Sequence, residues 1–304
     1  MKRLSLFTFF ALFAVAVLTS CRSIDFTHSS VIRFAPLSGW KGQAYQGMAI
    51  YKDYMLSFQN TGLATLYAID NDGLAELRKI QLESHSKTNH SNVAFFGIER
   101  YVAGDELPVV YVSQCYNGVV GGRKDVCYVE RIGLDGSSRL VQTIVFDDSR
   151  KLFGYALQWI VDYDRRLLIG YGNTIENLNP ENRFRIVTFR LPRLSDGEVV
   201  TLTESDIIEN YTIQDYTSEF PSVQIGQGAC VRDGMMIMPV GLGTKQHPSL
   251  FYVWDLRRHR LVNRLDWTAA VPYEFEDCDF HGRDLYIQTN GNGVYVVRDK
   301  KTKK

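Results

Sequence analysis

The sequence predicts an all-β fold: a five-bladed β-propeller of four-stranded antiparallel blades, with the ring closed by an N-terminal strand. Three observations predict it. Short runs of β-branched and aromatic residues recur between turn signals, with no long helical periodicity among them. An opening motif repeats: Gln46-Gly47-Met48-Ala49-Ile50 is echoed by Gln227-Gly228-Ala229-Cys230-Val231 and, more loosely, by Glu276-Asp277-Cys278-Asp279-Phe280, each leading through a short turn into an apolar strand. The last unit is one strand short, and residues 31–34 supply an alternating segment that completes it. Such a closure covers a sheet edge that would otherwise invite aggregation.

The strands follow in order. The first unit holds 46–50, 55–58, 64–69 and 74–82. The second holds 92–96, 108–115, 127–132 and 140–146. The third holds 156–162, 167–171, 185–191 and 198–202. The fourth holds 227–231, 235–240, 250–256 and 261–267. The fifth holds 277–281, 284–288 and 294–298, with 31–34 as its outer strand. Four antiparallel strands make a propeller blade. The second and third units are the longest, and their extra residues lie in loops. Loops 116–126, 172–182, 204–224 and 241–249 all belong to connections that share one face of such a ring. The opposite face has short turns such as Asn71-Asp72-Gly73 and Asp135-Gly136, with 103–107 as the exception. Long loops carry a closure cost and commonly bear function, so the loop-rich face is the expected site.

The innermost strands begin at that face. Gln46, His90, Asn92, Tyr155, Gln158, Gln227, Glu276 and Asp277 are therefore the candidate ligand-binding residues, with Tyr273 nearby and Tyr116, Tyr211 and Tyr216 on the long loops. Convergent polar and aromatic groups suit a binding pocket. Each also suits a channel lining bonded to water and backbone. Glu276 and Asp277 are the weak catalytic candidates. Cleaving a glycosidic bond needs two carboxyl groups that face each other, but adjacent strand residues point to opposite faces. The matching positions in the other units are amides, which transfer no proton. Asp215 and Glu219, in a long loop, are the remaining carboxylates that can contribute.

Lys and Arg total 34 and Asp and Glu total 34, so the chain lacks the concentrated basic surface of a nucleic-acid binder. The six His show no zinc-motif spacing, and no metal site follows from them. No cofactor is expected, with calcium left open, because Glu276, Asp277 and Asn92 offer hard oxygens. Gly-x-Ser-x-Gly is absent, and Gly226-Gln227-Gly228 and Gly241-Leu242-Gly243 read as tight backbone packing rather than a dinucleotide fingerprint.

The N-terminus reads as an address. Lys2 and Arg3 precede an apolar run over 4–17, followed by Leu18-Thr19-Ser20-Cys21. This is the pattern of a secretory signal, too short for a comfortable membrane span. Leu18-Thr19-Ser20-Cys21 looks like a bacterial lipobox, which implies cleavage before Cys21 and a lipid on its sulfur. The expected organisation is a signal peptide over 1–20, a tether over 21–30 and one propeller domain over 31–300. Arg22, Ser23 and Ile24 follow Cys21 without an acidic cluster, which favours a periplasm-facing position at the outer membrane over a surface one. Export permits a disulfide between Cys115 and Cys127, whereas Cys230 and Cys278 read as small buried side chains.

Leu18-Thr19-Ser20-Cys21, His90-Ser91-Asn92-Val93-Ala94-Phe95-Phe96 and the Gln-Gly strand openings together resemble a family of β-propeller lipoproteins of Bacteroides-type bacteria. That resemblance carries no assigned reaction, and fold alone does not fix function. The expected function is a lipid-anchored envelope propeller, held to the membrane through Cys21, that binds a glycan, peptide or protein at its loop-rich face without catalysis. The alternative is a glycan-directed hydrolase using carboxylates at the central funnel.

Overall fold

The computed structural model describes Ile24, residues 26–115, 119, 120, 123, 124, 126–291 and 293–299; Cys21, the segment before it and Tyr116 lie outside the described residues. Strand β1 (Ser29–Ala35) is the latch. The first blade holds β2 (Tyr45–Tyr51), β3 (Tyr54–Gln59), β4 (Leu63–Ile69) and β5 (Leu74–Gln81). The second holds β6 (Ala94–Phe96) and β7 (Val110–Ser113), a small hairpin of β8 (Val119–Val120) and β9 (Arg123–Lys124), then β10 (Cys127–Ile132) and β11 (Ser138–Phe146). Next come β12 (Tyr155–Asp162), β13 (Leu167–Asn173), β14 (Phe184–Arg190), β15 (Val199–Leu202) and β16 (Glu209–Thr212). The fourth blade holds β17 (Cys230–Arg232), β18 (Met235–Val240), β19 (Leu250–Asp255) and β20 (Arg260–Asp266). The fifth holds β21 (Phe275–His281), β22 (Asp284–Thr289) and β23 (Gly293–Asp299).

Five antiparallel four-stranded blades form the ring, as the repeat predicts. The innermost strands touch in a closed cycle: β2 to β6, β6 to β12, β12 to β17, β17 to β21, and β21 back to β2. Inner strands are buried on both faces between neighbouring blades, so β2, β3 and β4 read as nearly unbroken apolar runs. The outer strand β5 alternates with exposed residues. The core lies between blades, and alternation assigns each side chain to one neighbour. Met48 and Ile50 pack with Tyr286 and Val296 of the fifth blade, while Ala49 packs with Ala94 and Phe96 of the second. The latch pairs antiparallel to β23, from Ser29 opposite Asp299 to Ala35 opposite Val294.

One strand assignment is corrected. Residues 198–202 do not close the third blade. Instead β15 lies parallel to β11 on the outer edge of the second blade, with Thr143 opposite Val199 and Phe146 opposite Leu202. The third blade's outer strand is β16, antiparallel to β14. Both segments are four-residue strands, and a strand's pattern names a face but not a partner. Contacts outside the strand decide it: Gln142 Nε2 donates to the carbonyls of Arg193 and Gly197 at 2.8 Å each, and the Leu194 N–H donates to Glu99 Oε2 at 2.9 Å. They fasten the β14–β16 connection across the second blade and cover its edge. The insertion expected over 204–224 is thus divided: the part before β16 wraps the rim, and only the part after it reaches the loop-rich face.

Candidate functional site

The axis is organised by one carboxylate. An innermost strand has a free inner edge whose N–H groups have no ladder partner, and buried donors need acceptors. Asp277 supplies them. Its Oδ2 accepts the N–H of Met48 from the first blade at 2.9 Å and of Ala94 from the second at 3.2 Å, and its Oδ1 accepts the N–H of Cys278 at 2.9 Å. Gly228 of the fourth blade packs against the same group: a Cβ there would stand 2.6 Å from Asp277 Cγ and 2.8 Å from the Glu276 carbonyl oxygen. Gly47 is required for the same reason, with a Cβ falling 2.6 Å from the Ser91 carbonyl oxygen. The Gln-Gly openings therefore mark close approach of inner strands at the axis. Asp279 repeats the device one step down the strand, accepting the Ile50 N–H at 2.7 Å and the Phe280 N–H at 2.8 Å. Between the second and third blades, Ser113 Oγ accepts the Trp159 N–H at 2.8 Å.

On the loop-rich side of this hub, Gln46, Asn92, Gln158, Gln227 and Glu276 lie in or just before the innermost strands, one per blade, and all are more than nine-tenths buried. Gln227 Nε2 donates to Glu274 Oε1 at 3.2 Å, and Asn290 Nδ2 donates to Glu274 Oε2 at 3.2 Å. Burial, then the nearby Glu274 and Asp277 carboxyls, pushes Glu276 well above the ordinary carboxylate range. His90 and Tyr155 stand half-buried beside the ring. Burial lowers the His90 pKa to about 4, so its ring is neutral near pH 7. The structure thus brings the eight candidate residues to one end of the axis, but Asp277 faces the first blade while Glu276 lies on the other side of the strand. Sequence reasoning missed Asp279, Ser113 and Gln288, whose Nε2 donates to the Gln46 carbonyl at 2.7 Å and the Gly47 carbonyl at 3.0 Å. The Asp-Cys-Asp alternation was the available signal for Asp279.

Other expectations land elsewhere. Tyr211 sits in β16, buried, where its hydroxyl accepts the Trp254 Nε1–H at 3.1 Å. Tyr216 packs against Tyr211, Trp254 and His259 between the third and fourth blades, away from the mouth. Asp215 pairs with Arg183 at 2.5 Å. Cys115 and Cys127 are buried and are not joined by a disulfide; Cys230 and Cys278 are small buried side chains with sulfurs 3.4 Å apart. Among the described residues no three His, Cys, Asp or Glu side chains stand together as a metal site.

The two ends of the axis differ. At the loop-rich end the loops are tied together: Asn182 Nδ2 donates to the Ser222 carbonyl at 3.3 Å, and Ser249 Oγ donates to the Tyr273 carbonyl at 2.7 Å. Leu178, Val223 and Tyr273 are exposed on this rim. At the other end the strand termini enclose a hollow of about 450 Å³, bordered by Tyr51, Ile98, Arg100, Tyr163, Arg232 and Asp279.

No protein-family model matches this chain, and no curated protein matches its sequence. Its likenesses are to solved structures. The glutaminyl cyclase of Myxococcus xanthus superimposes with a TM-score of 0.52 at 11% identity, over 89% of this chain and 95% of the cyclase. The Nup133 β-propeller domain of Vanderwaltozyma polyspora gives 0.43 at 11% identity, over 85% of this chain and 71% of that one. The computationally designed Ika8 protein gives 0.39 at 10% identity, over 86% and 98%. At such identities the likeness to the cyclase is one of fold.

The buried axial carboxyls give the stability a definite pH dependence. Burial raises Asp279 from 3.8 to about 7 in the folded protein. A folded-state pKa above the unfolded one contributes stability that is complete below pH 4 and lost as pH rises through 7. Three units correspond to about 4 kcal/mol at most. The urea midpoint should therefore fall between pH 5 and pH 8, and Asp279→Asn should flatten that slope. Glu276 and Asp277, raised by burial in the same direction, leave part of it. An equal slope in wild type and variant would show that Asp279 does not titrate in this window.

Proposed function

We propose that this chain is a lipid-anchored protein of the bacterial outer membrane, facing the periplasm, that binds a glycan, peptide or protein partner at its loop-rich face without catalysing a reaction. The direction of the latch carries this reading. Strand β1 enters the ring at Ser29, opposite Asp299, at the end away from the loop-rich face. Phe26, just before it, packs between the fourth and fifth blades against Trp267 and Phe280. A lipid on Cys21, a few residues earlier, would leave the rim of Leu178, Val223 and Tyr273 free. A rim whose loops are already tied needs little ordering on binding, which favours affinity. Asp277 is fully buried and occupied by three backbone donors, an arrangement that serves assembly and leaves little for acid–base work.

The expected results are specific. The full chain should fractionate with membranes and Cys21→Ala should not, since lipid chains anchor by burying methylenes. Mass spectrometry of the native protein should show the acyl groups on the new N-terminal residue. A photo-crosslinking amino acid at Val223 or Tyr273 should give a discrete adduct in living cells, and one at Ile98, on the opposite end, should not. Adducts only from Ile98 would overturn the choice of face, and unchanged membrane association of Cys21→Ala would overturn the anchor.

A further inference from the structure

Two cysteines meet across a blade interface, and the register of the repeat explains why. The inner strands end in tight turns where Tyr51 lies opposite Tyr54, Arg232 opposite Met235 and His281 opposite Asp284. In the first blade Ala49, two residues before its turn, packs toward the second blade, and Met48, three residues before it, packs toward the fifth. Cys230 stands two residues before Arg232 and so faces the next blade, the fifth. Cys278 stands three residues before His281 and so faces the preceding blade, the fourth. This offset of one residue between neighbouring repeats turns both thiols into a single interface, where β17 touches β21. Their sulfurs stand 3.4 Å apart.

The surroundings suit a bond between them. Both side chains are buried, in the apolar cluster that also holds Val231, Ile237 and Ile287. Among the described residues no three His, Cys, Asp or Glu side chains group as metal ligands, so the pair has no further ligand with which to share a metal. Closing the sulfurs to a covalent length of about 2.05 Å moves each by about 0.7 Å.

We propose that Cys230 and Cys278 form a disulfide that ties the fourth blade to the fifth at the axis. The oxidant is a disulfide-bearing protein, a thiol–disulfide oxidoreductase of the envelope. One cysteine loses its proton, and its thiolate attacks a sulfur of the oxidant's disulfide; the second thiolate then displaces the oxidant from the mixed disulfide. The pair gives up two protons and two electrons and gains one S–S bond, while the oxidant's S–S bond becomes two thiols. Burial raises both thiols above their ordinary range in the closed ring, so the exchange belongs to folding, before the blades meet. The cysteines are 48 residues apart in the chain, and a cross-link over so long a span restricts the unfolded chain strongly. Asp277 joins the fifth blade to the first and second, and the bond secures it to the fourth. The presence of the oxidant in the cell rests on the export proposed above; the pairing itself does not.

The test refolds the full chain in detergent with oxidised glutathione, then maps its proteolytic peptides without reduction. One peptide pair should be joined through Cys230 and Cys278. Tris(2-carboxyethyl)phosphine, which reaches the bond as the ring opens, should lower the wild-type Tm by about 8 °C and leave that of Cys230→Ala unchanged. Cys278→Ala should behave alike and serves if the first variant does not fold. Cys115→Ala should keep the linked peptide. Alkylation of both Cys230 and Cys278 after refolding would overturn the proposal, as would an equal fall in Tm in the alanine variants. Trapping thiols with iodoacetamide in intact cells separates the two readings: a pair that bonds on refolding but is alkylated in cells supports the pairing and overturns the export.

Discussion

Asp277→Ala should destabilise the ring more than any other single side-chain truncation at the axis. Its carboxylate holds three backbone N–H groups from three different strands, and alanine leaves all three buried with no acceptor. An unsatisfied buried donor costs about 1–3 kcal/mol, so the loss from three is about 3–9 kcal/mol against a typical net stability of about 5–15 kcal/mol. The apparent Tm should fall by about 10 °C or more, and much of the protein should be insoluble at expression temperature. Asp277→Asn keeps one acceptor oxygen but turns an NH2 toward backbone donors, so it should fall between wild type and alanine. Urea denaturation of the three proteins orders them. A loss below about 1 kcal/mol for alanine would mean that the Met48 and Ala94 N–H groups find other partners, and that the hub is not what joins the fifth, first and second blades.

The same hub shows what the sequence disclosed and where it stopped. The blade count and the latch were legible because the signal is repetitive. Gln46, Gln227 and Glu276 each stand at the same spacing before a tight turn, and the glycines after the first two are imposed by packing against Ser91 and Asp277. The position of the candidate residues at one end of the axis was legible for the same reason. Their accessibility was not. Alternation tells which face of a strand a residue occupies, but the inner edge of β2 takes its acceptors from another blade, and no local pattern announces that. Asp277 read as a mouth residue, and its oxygens are taken up by backbone N–H groups of the first, second and fifth blades. The misassigned strand has a related cause. Residues 199–202 and 209–212 are equally plausible as strands, and side-chain acceptors far away in sequence, such as Glu99, decide which edge each one joins. Tyr211 followed the same error, since a residue placed on a loop proved to lie in β16.

Deleting residues 24–35 should open the ring. The latch contributes the whole outer strand of the fifth blade, with Val31 opposite Val297, Ile32 opposite Val296 and Arg33 opposite Tyr295. Phe34 meets Tyr286 edge-on with ring centroids 5.1 Å apart, and Ala35 is buried. Val31 and Phe34 are half-buried and Ile32 is exposed, so against about 1.5–3 kcal/mol for a fully buried large side chain the loss is about 3 kcal/mol before the exposed edge is counted. That edge makes the larger difference. Strand β23 would present unpaired N–H and C=O groups beside Val294, Val296 and Val297, all buried in the intact protein, and such an edge recruits other chains. The truncated chain should therefore be recovered as aggregates or strand-exchanged oligomers, not as a monomer. A synthetic peptide of residues 26–37, added during refolding, should restore monomer in a concentration-dependent way by adding a strand to the open edge. The same peptide with Val31 and Phe34 replaced by aspartate should not. A truncated chain that is monomeric and as stable as the full one would show that the last three strands hold the fifth blade unaided, and that the N-terminal strand is an attachment to a ring already closed by its innermost contacts.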